Sequence, residues 1–246
     1  MVLPEMRTVH EAVILAAGAG SRLRPVSAGV PKPLLAVHGR PIIARTLEMM
    51  ATVGVQRATV IVGYEKEALV RGIEGLVPDG LELRFIANPQ WEKQNGLSLM
   101  QAAGHVHGPF LLAMGDHCFA AEIFERLVAA AVPWELNLAV DRRLAAVFDL
   151  AEAMKVETRG DRILSIGKRL PRFDAVDTGL FLCPAMIFDY LQLAAAGGDC
   201  GLKDAVQAMA DSGKARVVDI GDAYWQDIDT PEMLAYAETG LTRALL

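Results

Sequence analysis

The chain has 246 residues, of which 52% are hydrophobic and 22% charged, and it carries a formal net charge of -6. That composition is ample for a packed core and excludes intrinsic disorder, and an acidic balance with no long basic run argues against nucleic acid as a partner. Cys118, Cys183 and Cys200 lie far apart with no CxxC spacing, MVLPEMRTVHE does not read as a secretory signal, and no apolar run approaches the roughly 20 residues that span a bilayer, so a cytoplasmic protein without a membrane segment is expected.

Taken from the N-terminus, EAVILAAG is a short apolar run closed by glycine and predicts a buried strand. A basic loop follows: from Ala12 to Leu47 there is no acidic residue, whereas Arg22, Arg24, Lys32, Arg40 and Arg45 are all cationic. In GRPIIARTLEMMATVG, Ile42, Ile43, Leu47 and Met50 recur at helical spacing with a proline near the start. RATVIVGY, LELRFIAN, PFLLAMGD and ELNLAVD predict four more strands, separated by the helical patterns EKEALVRGIEGL, NGLSLMQAAGHV and AAEIFERLVAAA. Strands alternating with helices imply a mainly parallel sheet covered on both faces, with ligands bound at the carboxyl ends of the strands.

After about residue 145 the rhythm changes. AMKVETRGDRILSIGK predicts an antiparallel hairpin turning on Arg-Gly-Asp, DAVDTGLFLC a strand, PAMIFDYLQLAAAG a helix and ARVVDI a strand. DTPEMLAYAETGLTRALL opens with Pro231 and Glu232, a good helix start. No linker, repeat or low-complexity stretch intervenes, so residues 1–246 are expected to form one domain of two halves, 1–145 and 146–246.

The stretch LAAGAGSRLRPVSAGVPKP fails both familiar phosphate loops. A dinucleotide loop requires G-x-G-x-x-G and a P-loop G-x-x-x-x-G-K, and in each the decisive glycine position holds Leu23. Gly18 and Gly20 still allow backbone N–H groups to approach phosphate oxygens, Arg22 can grip spread anionic charge, Lys32 adds a point charge, and Pro25, Pro31 and Pro33 stiffen the loop. The plain alternative is a glycine turn after a strand. FLLAMGD ends abruptly in Gly-Asp, which puts Asp116 at the ligand-binding edge, either as a magnesium carboxylate or as a cap. His117 has no second Cys/His pair at zinc spacing. Asn95-Gly96 reads as a turn and cap or as part of a binding loop, and Asp177 could accept hydrogen bonds from polyol hydroxyls.

LAAGAGSRLRP followed by PKPLLAVHGRPII resembles the signature of nucleotidyltransferases that join a nucleoside monophosphate to a phosphorylated sugar, polyol or amino-alcohol, and the likeness runs on through 95–98, 115–117, 177–179 and 225–232. It implies an α/β, Rossmann-like, mostly parallel (mixed) sheet flanked by helices, with a small antiparallel hairpin, a nucleotide-binding half first and an acceptor-binding half second. By that resemblance Leu15, Ala16, Ala17, Gly18, Gly20 and Ser21 bind the nucleotide, Arg22 neutralises the leaving pyrophosphate and Lys32 contacts phosphates near the reacting centre. Asp116 binds Mg2+ and Asp227 shares it; Asp229 is either a ligand or, as its position favours, the cap of the helix at Pro231. Asn95 and Gly96 lie near the base and acceptor. Lys168, and more weakly Lys155, would meet the acceptor phosphate, with Asp177, Thr178, Gly179 and more weakly Asp141 around the acceptor.

NPQWEKQNGLS, MGDH, ILSIGKRL and WQDIDTPEML look most like the cytidylyltransferase half of archaeal and thermophilic-bacterial enzymes that make CDP-inositol from myo-inositol 1-phosphate. That half is often fused to a membrane CDP-alcohol transferase, which a chain ending at Leu246 is expected to lack. The implied partners are a nucleoside triphosphate (CTP) and a small phosphorylated acceptor (inositol 1-phosphate), and the likeness admits a homo-oligomer. Competing expectations are a hexose 1-phosphate with UTP, dTTP or GTP, a phosphocholine-type acceptor, or a non-catalytic sensor of nucleotide sugars.

Overall fold

A computed structural model describes residues 9–244. In chain order the elements are β1 (Glu11–Ala16), α1 (Arg24–Ser27), β2 (Ala36–Val37), β3 (Arg40–Pro41), α2 (Ile42–Thr52), β4 (Arg57–Val62), α3 (Lys66–Glu74), β5 (Glu82–Ala87) and α4 (Asn95–Met100). There follow β6 (Phe110–Met114), β7 (His117–Phe119), α5 (Ala121–Ala130), β8 (Leu136–Asp141), β9 (Lys155–Arg159), β10 (Arg162–Gly167) and β11 (Ala175–Cys183). The chain closes with α6 (Ile187–Ala194), α7 (Leu202–Asp211), β12 (Ala215–Asp219), β13 (Trp225–Asp227) and α8 (Pro231–Ala244).

Nine strands form one sheet in the order β5-β4-β1-β6-β11-β8-β12-β10-β9. The first four run parallel, as do β8 and β12, while β11 runs against both β6 and β8, and β9 and β10 form the antiparallel hairpin. Side chains alternate across β1, as a strand period of two requires: Ala12, Ile14 and Ala16 enter a core with Ile43, Leu47 and Met50 of α2, and Val13 and Leu15 enter a second core on the other face with Leu202, Val206 and Met209 of α7. A run apolar at every position is therefore what burial on both faces demands. Since β1 lies between β4 and β6, the crossovers diverge there, and a crevice opens beyond the carboxyl ends of β1 and β6.

The helical pattern of NGLSLMQAAGHV is cut short at Met100, with turns beyond it and Gly104 in the left-handed region (φ 78°). α7 was not expected, although Leu202, Ala205, Val206 and Met209 repeat at the spacing of one helix face and are all buried. The tail of the last predicted helix, Leu245 and Leu246, lies outside the described residues. A third, smaller core of Leu23, Leu35, Val37, Ile42, Cys118, Ile228 and Ala237 fastens the basic loop to β7 and α8. Among the described residues, no helix is long and apolar enough to cross a membrane.

Candidate active site

The basic loop leaves β1 at the crevice. Leu23, the residue that breaks both phosphate-loop patterns, is 1% exposed and belongs to the third core, so that position is an apolar anchor here. Gly20 has φ 54°, and a Cβ there would come within 2.9 Å of the Lys32 Cβ, so the glycine lets the lysine stem pass beneath the loop. Gly115 does the same for Asp116, because a Cβ would meet the Leu15 carbonyl at 2.9 Å. β6 can thereby press its Gly-Asp end against β1.

These elements bring four charged side chains together. Lys32 Nζ, on a side chain only 8% exposed, donates to Asp116 Oδ2 and Asp229 Oδ1, both at 2.5 Å, and Arg22 Nη2 donates to Asp229 Oδ2 at 2.5 Å. His117 Nδ1 lies 2.6 Å from Asp116 Oδ1. Burial works to raise the Asp116 pKa, but Lys32 and His117 beside it hold the carboxyl well below the usual range. Burial works equally against the Lys32 ammonium, yet Asp116 and Asp229 raise its pKa above that of a free lysine. Asp227 differs: burial, reinforced by the Asp229 and Asp116 carboxylates, raises its pKa.

Two clefts meet at this cluster. One of about 240 Å³ is lined by Leu15, Ala16, Gly18, Gly20, Ser21, Arg22 and Lys32. The other, about 670 Å³, takes in Asn95, His117, Lys168, Asp177, Gly179 and Asp227. Both clefts reach Asp116 and Asp229. Burial pushes the Asp177 carboxyl up to about 6, partly offset by the Gly179 N–H that its Oδ1 accepts at 2.7 Å.

Several expected residues fall elsewhere. Ala17 is buried under the loop, its carbonyl accepting the Tyr64 N–H at 3.0 Å. Gly96 is packed so closely on the Cys200 carbonyl that a Cβ would stand 2.6 Å from it; Asn95 does border the larger cleft, but its Oδ1 accepts the Leu202 N–H at 2.9 Å, capping α7 rather than its own helix. Thr178 is buried and donates to the Ala139 carbonyl. Asp141 is buried too, its carboxylate taken up by Arg143 and by the Trp225 Nε1–H at 3.0 Å, so it lines neither cleft. Lys155 donates to the carbonyls of Ala151, Ala153 and Lys168, an anchoring role. Lys168 does line the larger cleft, where it pairs with Glu152 at 3.2 Å.

Thr230 rather than Asp229 caps α8: its Oγ1 accepts the Met233 N–H at 3.3 Å, which leaves the Asp229 carboxylate to Arg22 and Lys32. Sequence reasoning passed over His117, considered only for zinc, and the cleft cations Arg169 and Lys203. The dipeptide Asp116-His117 was the available signal for the first. Lys203 needed α7, whose start it occupies.

Among the described residues, no three His, Cys, Asp or Glu side chains converge as a ready metal cage. The donor set nevertheless suits a hard cation: Asp116 and Asp229 share one buried ammonium, and Asp227, whose pKa burial raises, lines the larger cleft with them. Mg2+ needs only one or two such carboxylates when substrate phosphates complete its shell.

Residues 12–169 match the model of a family described as the MobA-like NTP transferase domain. The chain is 33% identical over 238 residues to the bifunctional IPC transferase and DIPP synthase of Aquifex aeolicus, and 34% identical over 242 residues to the protein of the same name from Rubrobacter xylanophilus. Those matches cover 97% and 96% of this chain but 53% and 54% of the two proteins, so the chain spans about half the length of these relatives. Among solved structures, the inositol-1-phosphate CTP transferase from T. maritima superposes with a TM-score of 0.82 at 26% identity, over 95% of this chain and 98% of that one.

Proposed function

The chain belongs to the MobA-like NTP transferase domain family, and from that premise we propose that it transfers CMP from CTP to inositol 1-phosphate, giving CDP-inositol and pyrophosphate. The observation that carries the reading is the junction of the clefts: a glycine- and cation-lined cleft suited to a triphosphate and a larger one suited to a polyol phosphate share Asp116 and Asp229. Similarity to the IPC transferase and DIPP synthase proteins, and to the inositol-1-phosphate CTP transferase from T. maritima, supports the choice of nucleotide and acceptor.

In this reading an acceptor phosphate oxygen attacks the α-phosphorus in line and pyrophosphate leaves on the opposite side. A phosphate monoester is already largely ionised at pH 7, so no general base is needed; positioning and charge stabilisation do the work. Loop N–H groups around Gly18 and Gly20, together with Arg22, take the charge developing on pyrophosphate. Lys32 is held between the clefts and draws the two anions together against their repulsion. Asp116 and Asp227 would hold Mg2+, with Asp229 beside them, and the ion supplies charge neutralisation at the phosphates when bound. Arg22 and Lys32 now rest on Asp229, and a triphosphate would take over those contacts. Lys168, Asp177 and Gly179 face the acceptor, and Asn95 lies at the edge of the same cleft. Residues 9–244, joined by one nine-stranded sheet, act as one unit on small molecules.

The test is pyrophosphate release over a matrix of nucleoside triphosphates and phosphorylated acceptors, with and without EDTA. CTP with inositol 1-phosphate should be turned over fastest, and chelation should abolish it. Arg22→Ala and Asp116→Ala should each lower kcat at least about a hundredfold while leaving the fold intact. Turnover confined to hexose phosphates, or metal-independent turnover, would overturn the assignment.

A further inference from the structure

His117 has two ring nitrogens, and only one is engaged. Nδ1 meets Asp116 Oδ1 at 2.6 Å, and because an ionised carboxylate can only accept, Nδ1 carries the proton of that bond. Nε2 has no hydrogen-bond partner among the described residues, although the side chain is just 16% exposed and lines the larger cleft.

The ring is held by its surroundings. It lies nearly parallel to Phe119 and Trp225, at interplanar angles of 25° and 20°, and its Cδ2–Nε2 edge rests on Gly179. A Cβ at Gly179 would stand 2.7 Å from Cδ2 and 2.8 Å from Nε2, and φ there is 79°, so glycine leaves the space this edge occupies. Next to that edge, Asp177 presents a second hydrogen-bonding group to the same cleft, while the cations Lys168, Arg169 and Lys203 also line it.

From this geometry we propose, building on the acceptor assignment above, that His117 is a specificity-determining residue that joins the reacting centre to the acceptor. Nδ1 orients Asp116, and Nε2 hydrogen-bonds a hydroxyl of the polyol. A hydroxyl both gives and takes a hydrogen bond, so it satisfies Nε2 in either protonation state of the ring. The phosphate, which in ionised form only accepts, is the group that Lys168, Arg169 and Lys203 suit. The cleft thus favours a hydroxyl-bearing phosphate monoester over an acceptor that has no hydroxyl to offer.

The two nitrogens can be separated by substitution. In His117→Asn the amide can replace Nδ1, and in His117→Gln it can replace Nε2. Steady-state pyrophosphate release with CTP and inositol 1-phosphate should show the acceptor KM about tenfold higher in His117→Asn, with kcat within about threefold of wild type. His117→Gln should do the reverse, keeping the acceptor KM and losing about tenfold in kcat. The KM for CTP should stay at the wild-type value in both, and the melting temperature should fall in both, since each loses the ring packed beside Phe119 and Trp225. An unchanged acceptor KM in His117→Asn, or identical behaviour of the two variants, overturns this inference alone. Absence of turnover by wild-type protein overturns the acceptor assignment itself. A measurement independent of variant folding uses 15N-histidine-labelled wild type: saturating inositol 1-phosphate should shift the His117 Nε2 resonance, and an unmoved resonance refutes the contact.

Discussion

Lys32 and Asp177 illustrate opposite uses of burial at the level of single residues. The Lys32 ammonium is compensated by two carboxylates and stays charged across the ordinary pH range. Asp177 has one N–H donor, from Gly179, and that bond and the nearby His117 only partly offset burial, which raises its carboxyl to about 6. The sign of the consequence follows: a raised folded-state pKa gives stability that is complete below the unfolded value and is lost as pH rises through about 6. Asp177→Asn should therefore melt higher than wild type at pH 8 and no higher at pH 4. Binding runs the other way, because the ionised carboxylate is the better acceptor for polyol hydroxyls. The ratio of acceptor KM, Asp177→Asn over wild type, should be large at pH 8 and fall towards one as pH drops through about 6. Taking the ratio cancels the second ionisation of the acceptor phosphate, also near 6. A flat ratio would remove Asp177 from the binding site.

One scale up, the short β7–β13 ribbon organises the carboxylates. Its register sets Asp227 opposite His117 and Trp225 opposite Phe119, so the carboxylate after β6 and the one closing β13 face the same space. Asp141, at the end of β8, braces the ribbon by accepting the Trp225 indole N–H while Arg143 grips it and the Ala223 carbonyl. Trp225→Phe would keep the aromatic face and remove the brace. Its cost is one hydrogen bond to a charged group, about 1.5–3 kcal/mol, and at roughly 2–4 °C per kcal/mol the melting temperature should drop by several degrees. Because the ribbon carries both His117 and Asp227, kcat should fall as well. A variant with wild-type melting and turnover would show that the brace is idle. The ribbon was not legible in the sequence: three-residue strands have no usable period, and their pairing joins segments about a hundred residues apart.

Over the whole molecule, β11 from the second half is inserted beside β6 from the first, so one nine-stranded sheet runs through both halves and the two clefts open at their seam. Ligands held at that seam should stabilise the entire fold. CTP with Mg2+ at a hundredfold above its dissociation constant adds about 2.7 kcal/mol, which corresponds to a rise of roughly 5–11 °C in the melting temperature. Differential scanning fluorimetry would check this, and EDTA should remove most of the gain. An equal shift with and without chelator would dissociate the metal from nucleotide binding.

Read as sequence, the alternation of apolar runs was sufficient for most of the strand-and-helix order, and the loop with Arg22 and its downstream Pro31-Lys32-Pro33 carried the resemblance to the family. These are local properties, set by side-chain period and backbone freedom within a few residues of one another. Tertiary structure decided which charges meet: that Asp229 pairs with Arg22 and Lys32 while Thr230 caps α8, that Asp141 and Thr178 turn away from the larger cleft, and that His117 and Lys203 line it. Such choices depend on which hydrogen-bonding groups remain unsatisfied once distant segments pack, and no stretch of chain carries that information by itself.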